Sequence, residues 1–230
     1  MTIDWEQLAR RQGGFTVLDP EGNEVPTADF LATGEADLTA LLTASASLLG
    51  REIPLTTALD FGCGVGRLTL PLARRAGAVT ACDIAPTMLA HARQNAEQAG
   101  LHYITYLSTD ALATLPDGSF TFICSMLVFQ YIPRRTGYEL IRTLTRLLAP
   151  GGIALLHVIL APPGESLRQY IRFNRRSPAP SVRSALFDYD EQAVFRMIAA
   201  AHARIAALFP APAGGRNGAV FLIKKNGGRQ

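Results

Sequence analysis

Residues 58–73 read Ala-Leu-Asp-Phe-Gly-Cys-Gly-Val-Gly-Arg-Leu-Thr-Leu-Pro-Leu-Ala, and this segment is the most informative part of the sequence. Thr57 to Phe61 is predicted to form a short apolar strand, the glycines after it a tight turn, and Leu68 to Arg75 the beginning of a helix. Glycine permits positive φ angles and lets a ligand lie against the backbone, and a helix start offers unpaired N–H groups. The stretch therefore predicts a site for a nucleotide-like ligand.

The spacing of the glycines narrows the class of ligand. A dinucleotide fingerprint has glycine at its first, third and sixth positions. The sixth position is Arg67 when counted from Gly62 and Thr69 when counted from Gly64, so the fingerprint is incomplete. Asp60, at the end of the predicted strand, carries a carboxylate that repels a diphosphate and attracts an ammonium group. These residues favour a cationic, phosphate-free nucleoside.

Further segments follow in a regular order. Ala78 to Asp83 is a second apolar strand that ends in an acid, and an aspartate at such a tip can accept hydrogen bonds from both hydroxyls of a ribose. Phe120 to Ser125 is predicted to be the fourth strand. A helix from Gly137 to Leu148 then stops at the turn Leu-Ala-Pro-Gly-Gly, which leads into a fifth strand at Ile153 to Leu160.

Asp60 to Gly66 resembles the first motif of the class I S-adenosylmethionine-dependent methyltransferases, and the following segments extend the resemblance from about Thr56 to Val158. The resemblance implies an α/β, Rossmann-like, doubly wound sheet of seven mostly parallel strands with an antiparallel last strand. It implies S-adenosyl-L-methionine as cofactor and S-adenosyl-L-homocysteine as product. The implied function is transfer of a methyl group to an O, N or C nucleophile of a small molecule.

The resemblance also implies roles for residues after the first motif. Asp83 would bind the ribose, while Ile84 and Met88 would pack against the adenine and its ribose. Asp110 would accept from the adenine N6 amine, and the N–H of Ala111 would serve N1. The complete set of predicted cofactor-binding residues is Asp60, Gly62, Cys63, Gly64, Gly66, Asp83, Ile84, Met88, Asp110, Ala111 and Ser125.

Two of these assignments have structural alternatives. Asp110 is also suited to cap the short turn from Ala111 to Leu115, and capping does not exclude contact with adenine. Met88 is a residue type that commonly fills ordinary core.

The segment from Ser125 to Pro133 resembles the loop that faces the methyl group and the acceptor in this family. Family members often carry histidine where Tyr131 stands, which leaves Gln130 as a predicted substrate-binding residue and Tyr131 as a candidate catalytic base. His157, within the fifth strand, is the second candidate base. The alternative for His157 is a hydrogen-bonded core residue.

Residues 161–188 lie beyond the resemblance and accumulate arginines. If Glu165 to Arg176 is helical, then Arg168, Arg172 and Arg176 share one face. This segment is either a solvated face or an acceptor-covering insertion in which Arg172 binds an anionic group of the substrate.

Residues 1–50 are expected to form a helical cap in front of a methyltransferase domain at 51–230. Helices are predicted from Asp4 to Arg11 and from Asp37 to Leu49. The resemblance implies that such a segment closes over the cofactor and the acceptor, although its aromatics could equally pack it onto the body. The candidate lid residues are Trp5, Phe15 and Phe30.

Composition restricts the remaining classes of function. The chain has 230 residues, a net charge of +3 and 18% charged residues, which indicates neither a nucleic-acid tail nor a polybasic membrane segment. Three widely spaced cysteines fit no metal pattern, and we expect free thiols and no metal. The sequence shows no leader peptide, and no apolar run approaches the roughly 18 residues that a membrane-spanning helix needs. We therefore expect a cytoplasmic protein without a membrane partner. The oligomeric state stays open.

Two other functions compete with small-molecule methylation. A protein that binds the nucleoside without transferring a methyl group would carry the same motifs. An RNA methyltransferase is favoured only by the arginines of 161–188, and the chain lacks the Asn-Pro-Pro-Tyr-type tetrapeptide of the base-amino methylators after the fourth strand.

Overall fold

The computed structural model describes residues 4–11, 27–162, 187–213 and 215–227. Seven strands form one sheet: β1 (Thr57–Phe61), β2 (Ala78–Asp83), β3 (Ile104–Ser108), β4 (Phe120–Ser125), β5 (Leu148–Ile159), β6 (Ala203–Pro210) and β7 (Gly218–Lys225). The α-helices of these residues are α1 (Trp5–Arg11), α2 (Thr27–Leu49), α3 (Thr69–Ala73), α4 (Pro86–Gln98), α5 (Arg134–Leu147) and α6 (Glu191–Ala200). Short 3₁₀ helices follow β3 at Thr109–Thr114 and β4 at Phe129–Tyr131.

The strand order is β3-β2-β1-β4-β5-β7-β6. β1 to β5 are mutually parallel, whereas β7 runs antiparallel to both of its neighbours, β5 and β6. This confirms the predicted doubly wound sheet with an antiparallel last strand. The order reverses between β1 and β4, and in open parallel sheets a ligand binds outside the carboxyl ends of the strands at such a switch point.

Helices cover both faces of the sheet. On one face Leu59 and Phe61 pack in a core that includes residues of α5 and α6. On the other face Ala58 packs in a core with Leu38 of α2 and Leu72 of α3. Since successive side chains of a strand point to opposite faces, Asp60 lies on the α2 and α3 side.

Several element boundaries differ from the sequence-based expectation. α2 begins at Thr27 rather than Asp37. β5 includes the Leu-Ala-Pro-Gly-Gly turn, because Leu148 already pairs with Phe120 before a register irregularity.

α5 starts at Arg134, ahead of the expected Gly137, and Gly137 is a helical residue. A Cβ at Gly137 would lie 2.1 Å from the hydroxyl oxygen of Tyr189, so glycine there lets the tyrosine side chain cross the helix. The Tyr189 hydroxyl lies 2.9 Å from the carbonyl oxygen of Phe129 and 2.7 Å from that of Ile132, and its single proton is shared between these two acceptors. This packing fixes the loop after β4 against α5.

The helices of the first 50 residues pack against the sheet domain. α1 lies against α4, and α2 lies against α3. The division of the chain at residue 50 stays a prediction. In the portion of the chain that the structure describes, no helix combines the length and the apolar character required to cross a membrane.

Candidate cofactor and acceptor site

A cavity of about 710 Å³ lies at the carboxyl ends of β1, β2 and β4. Ligand pockets typically have volumes of roughly 300–1,000 Å³. The loop after β1, the tip of β2, the 3₁₀ helix after β3 and the loop after β4 form its floor and sides. Trp5 of α1, Phe30 of α2 and Leu140 of α5 also line it. The cavity therefore occupies the switch point of the sheet.

The glycine loop combines left-handed backbone conformations with close packing. Gly62 has φ 74° and Gly64 has φ 53°, in the left-handed region that favours glycine. A Cβ at Gly62 would lie 2.3 Å from Cγ2 of Val128, whereas a Cβ at Gly64 would meet no protein atom within 4 Å. Both residues line the cavity, and Gly64 borders open space. Gly66 does not line it and packs against Ala92 instead.

Asp83 is the side chain at the tip of β2. Its Oδ2 accepts from the Gly64 N–H at 2.9 Å, and its Oδ1 accepts from the Ala85 N–H at 3.0 Å. Burial raises the pKa of this carboxyl group, while these backbone donors oppose the shift. Each carboxylate oxygen retains a second lone pair. Asp83 lines the cavity and can accept two further hydrogen bonds there.

Asp60 is 2% exposed and lines the cavity from the end of β1. Its Oδ2 accepts from the Thr69 hydroxyl at 2.6 Å, and the Cys124 thiol lies 3.6 Å from its Oδ1. Burial raises the pKa of Asp60 to about 6 despite these two donors. A buried carboxylate of this kind is stabilised by a cation placed against it.

Arg67 is a cavity residue to which the sequence analysis gave no binding role. Its side chain is 11% exposed, pairs with Asp37 of α2 and lies with Cζ 5.4 Å from the ring centroid of Phe30. In the sequence, Arg67 was notable only because it stands where the dinucleotide fingerprint would have its third glycine. A cation inside the glycine loop, seven residues after an acid at the strand end, was the signal that could have identified it.

Residues that follow β2 form an apolar part of the cavity wall. Ile84 is 65% exposed although it is a large hydrophobic residue, and it lines the cavity. Met88 of α4 also lines the cavity and is buried in a cluster with Ala9, Val65 and Ala85. The side chain of Ile84 is thus available to cover a flat ring, and Met88 serves the core and the cavity together.

Asp110 is exposed and lines the cavity from within the 3₁₀ helix after β3. The N-cap position of that helix belongs to Ser108, so Asp110 does not cap it. Ala111 follows Asp110 in the same helix but does not line the cavity.

The loop after β4 supplies a further part of the cavity wall. Leu127, with φ 62°, is a non-glycine residue in the left-handed region, and it lines the cavity with Met126, Val128 and Tyr131. Such a backbone costs free energy of order 1–3 kcal/mol and is often retained at binding sites. Burial raises the pKa of Tyr131, and a hydrogen bond with the Gln130 side chain opposes the shift. Tyr131 is therefore a neutral phenol at ordinary pH.

Ser125 and Gln130 are buried beside this loop rather than in the cavity wall. Ser125 is fully buried and Gln130 is 6% exposed. The Ser125 hydroxyl and the Gln130 Oε1 have no hydrogen-bond partner among the described residues. Gln130 reaches the site through its contact with Tyr131.

His157 is not brought to the cavity. It is 1% exposed within β5, where its Nε2 lies 2.9 Å from the carbonyl oxygen of Ala211. Burial lowers the pKa of the imidazole. The described cavity lining does not include it, and its surroundings are those of a neutral core histidine.

α1 forms part of the cavity roof. Trp5 lies against Tyr131 with ring centroids 4.9 Å apart. The Glu6 carboxylate accepts from the Thr87 N–H at 3.0 Å and from the Thr87 hydroxyl at 2.7 Å, at the beginning of α4. Phe15, Arg168, Arg172 and Arg176 lie outside the described residues. Trp5 and Phe30 are therefore the candidate lid residues that meet the cavity.

Thiols and carboxylates do not assemble into a metal centre within the ranges that the structure describes. Cys63, Cys82 and Cys124 are buried and free, and burial raises the pKa of each thiol. Cys63 lines the cavity as a neutral group.

Comparison with protein families gives a match between residues 58–152 and the model of a methyltransferase domain. The ubiquinone biosynthesis O-methyltransferase of Psychrobacter cryohalolentis is 32% identical over 124 residues, which are 53% of this chain and 46% of the relative. The demethylmenaquinone methyltransferase of Thermus thermophilus is 41% identical over 109 residues, which are 46% of this chain and 48% of the relative. The chain thus spans about half the length of the curated relatives it matches.

Solved structures share the fold at low identity. Magnesium protoporphyrin IX methyltransferase from Synechocystis PCC 6803, crystallised with bound SAH, has a TM-score of 0.66 and 19% identity, over 97% of this chain and 95% of that chain. The cyclase SpnF has a TM-score of 0.59 and 18% identity, over 82% of this chain and 81% of that chain. These likenesses show the architecture and leave the reaction undetermined. With the domain match at residues 58–152 and the sequence relatives, they show a methyltransferase-like fold whose central segment is similar in sequence to methyltransferases.

Proposed function

We propose that this protein transfers a methyl group from S-adenosyl-L-methionine to a small, largely apolar molecule. The observation that carries the proposal is one continuous cavity of about 710 Å³. It joins the acids Asp60 and Asp83 to an apolar compartment beside Tyr131. A nucleoside and an acceptor held in one cavity can meet in the geometry that methyl transfer requires.

The described residues fit the cofactor. The Asp83 carboxylate, oriented by the N–H groups of Gly64 and Ala85, accepts from the two ribose hydroxyls. The Ile84 side chain covers the adenine, and Asp110 accepts from its amine. Asp60, buried and anionic above its raised pKa, attracts the ammonium group. The open space beside Gly64 lets the ligand lie against the backbone of the loop.

The bound cofactor supplies a sulfonium-activated methyl group, so the chain mainly positions the reactants and excludes water. Trp5 and Phe30 close the cavity from the N-terminal side. Tyr131 is protonated near neutral pH like an ordinary phenol, and burial raises its pKa further, so it would donate a hydrogen bond to the acceptor rather than remove a proton from it. A hydrogen bond from the Gln130 side chain orients the Tyr131 hydroxyl.

An apolar ring is the acceptor that the cavity wall favours. Met126, Leu127, Val128 and Ile132 surround Tyr131 with hydrocarbon, and the described acceptor-side lining has no cationic side chain. Two sequence relatives are named for ubiquinone and menaquinone methylation. We propose a hydroxylated aromatic acceptor that is methylated on oxygen. Any contribution of Arg172 to an anionic group of the acceptor stays a prediction.

Incubation with methyl-labelled S-adenosyl-L-methionine tests the proposal. A panel should contain alkylated catechols and hydroquinones, primary amines, aromatic carboxylates and short RNAs. We expect S-adenosyl-L-homocysteine release with the hydroxylated rings, and a strongly reduced release with Asp83→Ala at the same cofactor concentration. Binding of the cofactor without methyl transfer to any class would favour the non-catalytic alternative. Transfer to RNA alone, with an affinity that falls steeply with salt, would favour the RNA methyltransferase.

A further inference from the structure

The cavity is unevenly charged. Among the described residues that line it are the carboxylates of Asp60, Asp83 and Asp110 and a single cationic side chain, Arg67. The cofactor proposed to bind there ends in a zwitterion, with an ammonium and a carboxylate on the same carbon. Asp60 attracts the ammonium, but acids alone would repel the carboxylate next to it. A cation close to Asp60 would remove this conflict.

Arg67 meets the requirement of a fixed cation. Its Nη1 donates to Asp37 Oδ2 at 2.5 Å and to the Thr33 hydroxyl at 3.3 Å, and the guanidinium lies over the Phe30 ring. A guanidinium carries five N–H donors. The hydrogen bonds of Arg67 to described side chains use Nη1, so the donors of Nε and Nη2 are available.

We infer that Arg67 binds the carboxylate of the cofactor's amino-acid end while Asp60 binds its ammonium group. The inference rests on the proposed function for the identity of the ligand. Asp60 ends β1 and Arg67 precedes α3, so one glycine loop presents both charges to the cavity. The planar fork of an arginine can grip a carboxylate with two parallel hydrogen bonds. Asp37 and Phe30 hold that fork in place.

The competing explanation is that Arg67 only fastens α2 to the glycine loop. Arg75 provides a matched control for that explanation. It also joins the α3 region to α2, through an ion pair with Glu35 and a hydrogen bond to Thr39 at 3.0 Å. Arg75 is absent from the described cavity lining. A variant of Arg75 therefore removes an arginine contact with α2 only, whereas a variant of Arg67 removes such a contact and also a cation that lines the cavity.

Calorimetric titration of the full chain with two ligands tests the inference. S-adenosyl-L-methionine carries the carboxylate, and decarboxylated S-adenosylmethionine lacks it. We expect Arg67→Met to weaken the first ligand by about tenfold or more, the scale of one charge-assisted hydrogen bond, and the second by less than about twofold. Arg67→Lys should recover part of the loss. Arg75→Met should leave both affinities unchanged. Asp37→Asn should weaken the first ligand less than Arg67→Met does, because Arg67 keeps its charge and loses only one of the groups that hold it.

Equal losses of both ligands in Arg67→Met would overturn the inference and support the fastening role. So would a loss in Asp37→Asn as large as that in Arg67→Met. Failure of the unaltered protein to bind either ligand would instead contradict the proposed function. Thermal unfolding of each variant shows that the compared proteins are folded.

Discussion

The indole ring of Trp5 meets the phenol ring of Tyr131 edge-on, with centroids 4.9 Å apart and ring planes at 74°. Trp5 belongs to α1 and Tyr131 to the loop after β4, so this contact joins the N-terminal helix to the acceptor side of the cavity. Trp5 is also the single tryptophan of the chain. Its fluorescence therefore reports on the docking of α1 alone.

Trp5→Ala should raise the KM for the acceptor several-fold and lower the free energy of unfolding by about 0.5–1.5 kcal/mol beyond the loss of buried area, the range for an aromatic pair. The physical reason is the loss of the cavity roof above Tyr131. Steady-state kinetics and urea unfolding provide the measurements. Trp5→Phe, which keeps an aromatic edge, should lie close to the unaltered protein. An acceptor KM that does not change in Trp5→Ala would show that the roof has no part in acceptor binding.

The contact of Glu6 with α4 should depend on pH. The Thr87 backbone N–H, followed by the Thr87 hydroxyl, lowers the pKa of Glu6 from 4.5 to about 2. Since the folded-state pKa is the lower one, the ionised carboxylate stabilises the docked helix above about pH 4.5, and that contribution is lost as the pH falls towards 2. Glu6→Gln should loosen α1 at neutral pH and remove this part of the acid dependence.

Trp5 emission, followed during acid titration, measures the docking of α1, and far-UV circular dichroism separates it from global unfolding. Glu139→Gln serves as the control, because Glu139 pairs with Arg142 on the exposed face of α5. We expect an unchanged emission profile for that variant. If Trp5 emission changed with pH in the same way in Glu6→Gln and in the unaltered protein, the contact between Glu6 and α4 would not be what holds α1 in place.

Asp60 should couple the protonation state to ligand binding. Burial raises its pKa from 3.8 to about 6, so its ionisation costs folding stability as the pH rises through that interval. The cofactor's ammonium prefers the ionised form, and affinity should therefore rise between about pH 5 and pH 7. Asp60→Asn should weaken S-adenosyl-L-homocysteine and flatten this dependence, whereas adenosine should bind normally. Calorimetry that finds equal losses for both ligands would place Asp60 outside the amino-acid pocket.

Gly34 should be intolerant of any side chain. A Cβ at this position would lie 1.9 Å from the carbonyl oxygen of Arg67, so Gly34→Ala must displace α2 from the glycine loop. We expect a loss of about 1–3 kcal/mol in the free energy of unfolding, as for other overpacked contacts. Urea unfolding measures it. Gly227→Ala, where a Cβ meets no atom within 4 Å, should be neutral, and equal stability of the two variants would contradict the close approach.

The fold was predictable because the apolar pattern of each segment and the order of the segments along the chain indicate the same fold class. The acid at the tip of β2 and two of the glycines after β1 were predicted to lie at one site, and they line the same cavity. The roles of Arg67 and Glu6 could not be predicted in the same way, because each depends on a helix from the first 50 residues packing against a distant loop. Sequence spacing gives no measure of that packing. His157 shows the converse difficulty, since its position along a strand did not reveal whether it faces the cavity or the core.

The acceptor side was the least predictable part. Tyr131 was identified from its place after β4, but its burial and its contact with Trp5 depend on the packing of α1, which the sequence does not show. The strained backbone of Leu127 carries no sequence signal either, because leucine is not a residue that favours positive φ. Loop conformation and helix docking together determine the shape of this compartment.

Titration of S-adenosyl-L-homocysteine into the unaltered protein and into Asp83→Ala tests the central claim most directly. We predict one binding site in the unaltered protein and about a tenfold or greater loss in the variant, because removal of the carboxylate leaves two ribose hydroxyls without acceptors, at a cost of about 1.5–3 kcal/mol. Asp117→Ala, on the exposed turn before β4, should bind as the unaltered protein does. Absence of binding to the unaltered protein, or equal affinity in Asp83→Ala, would contradict the account.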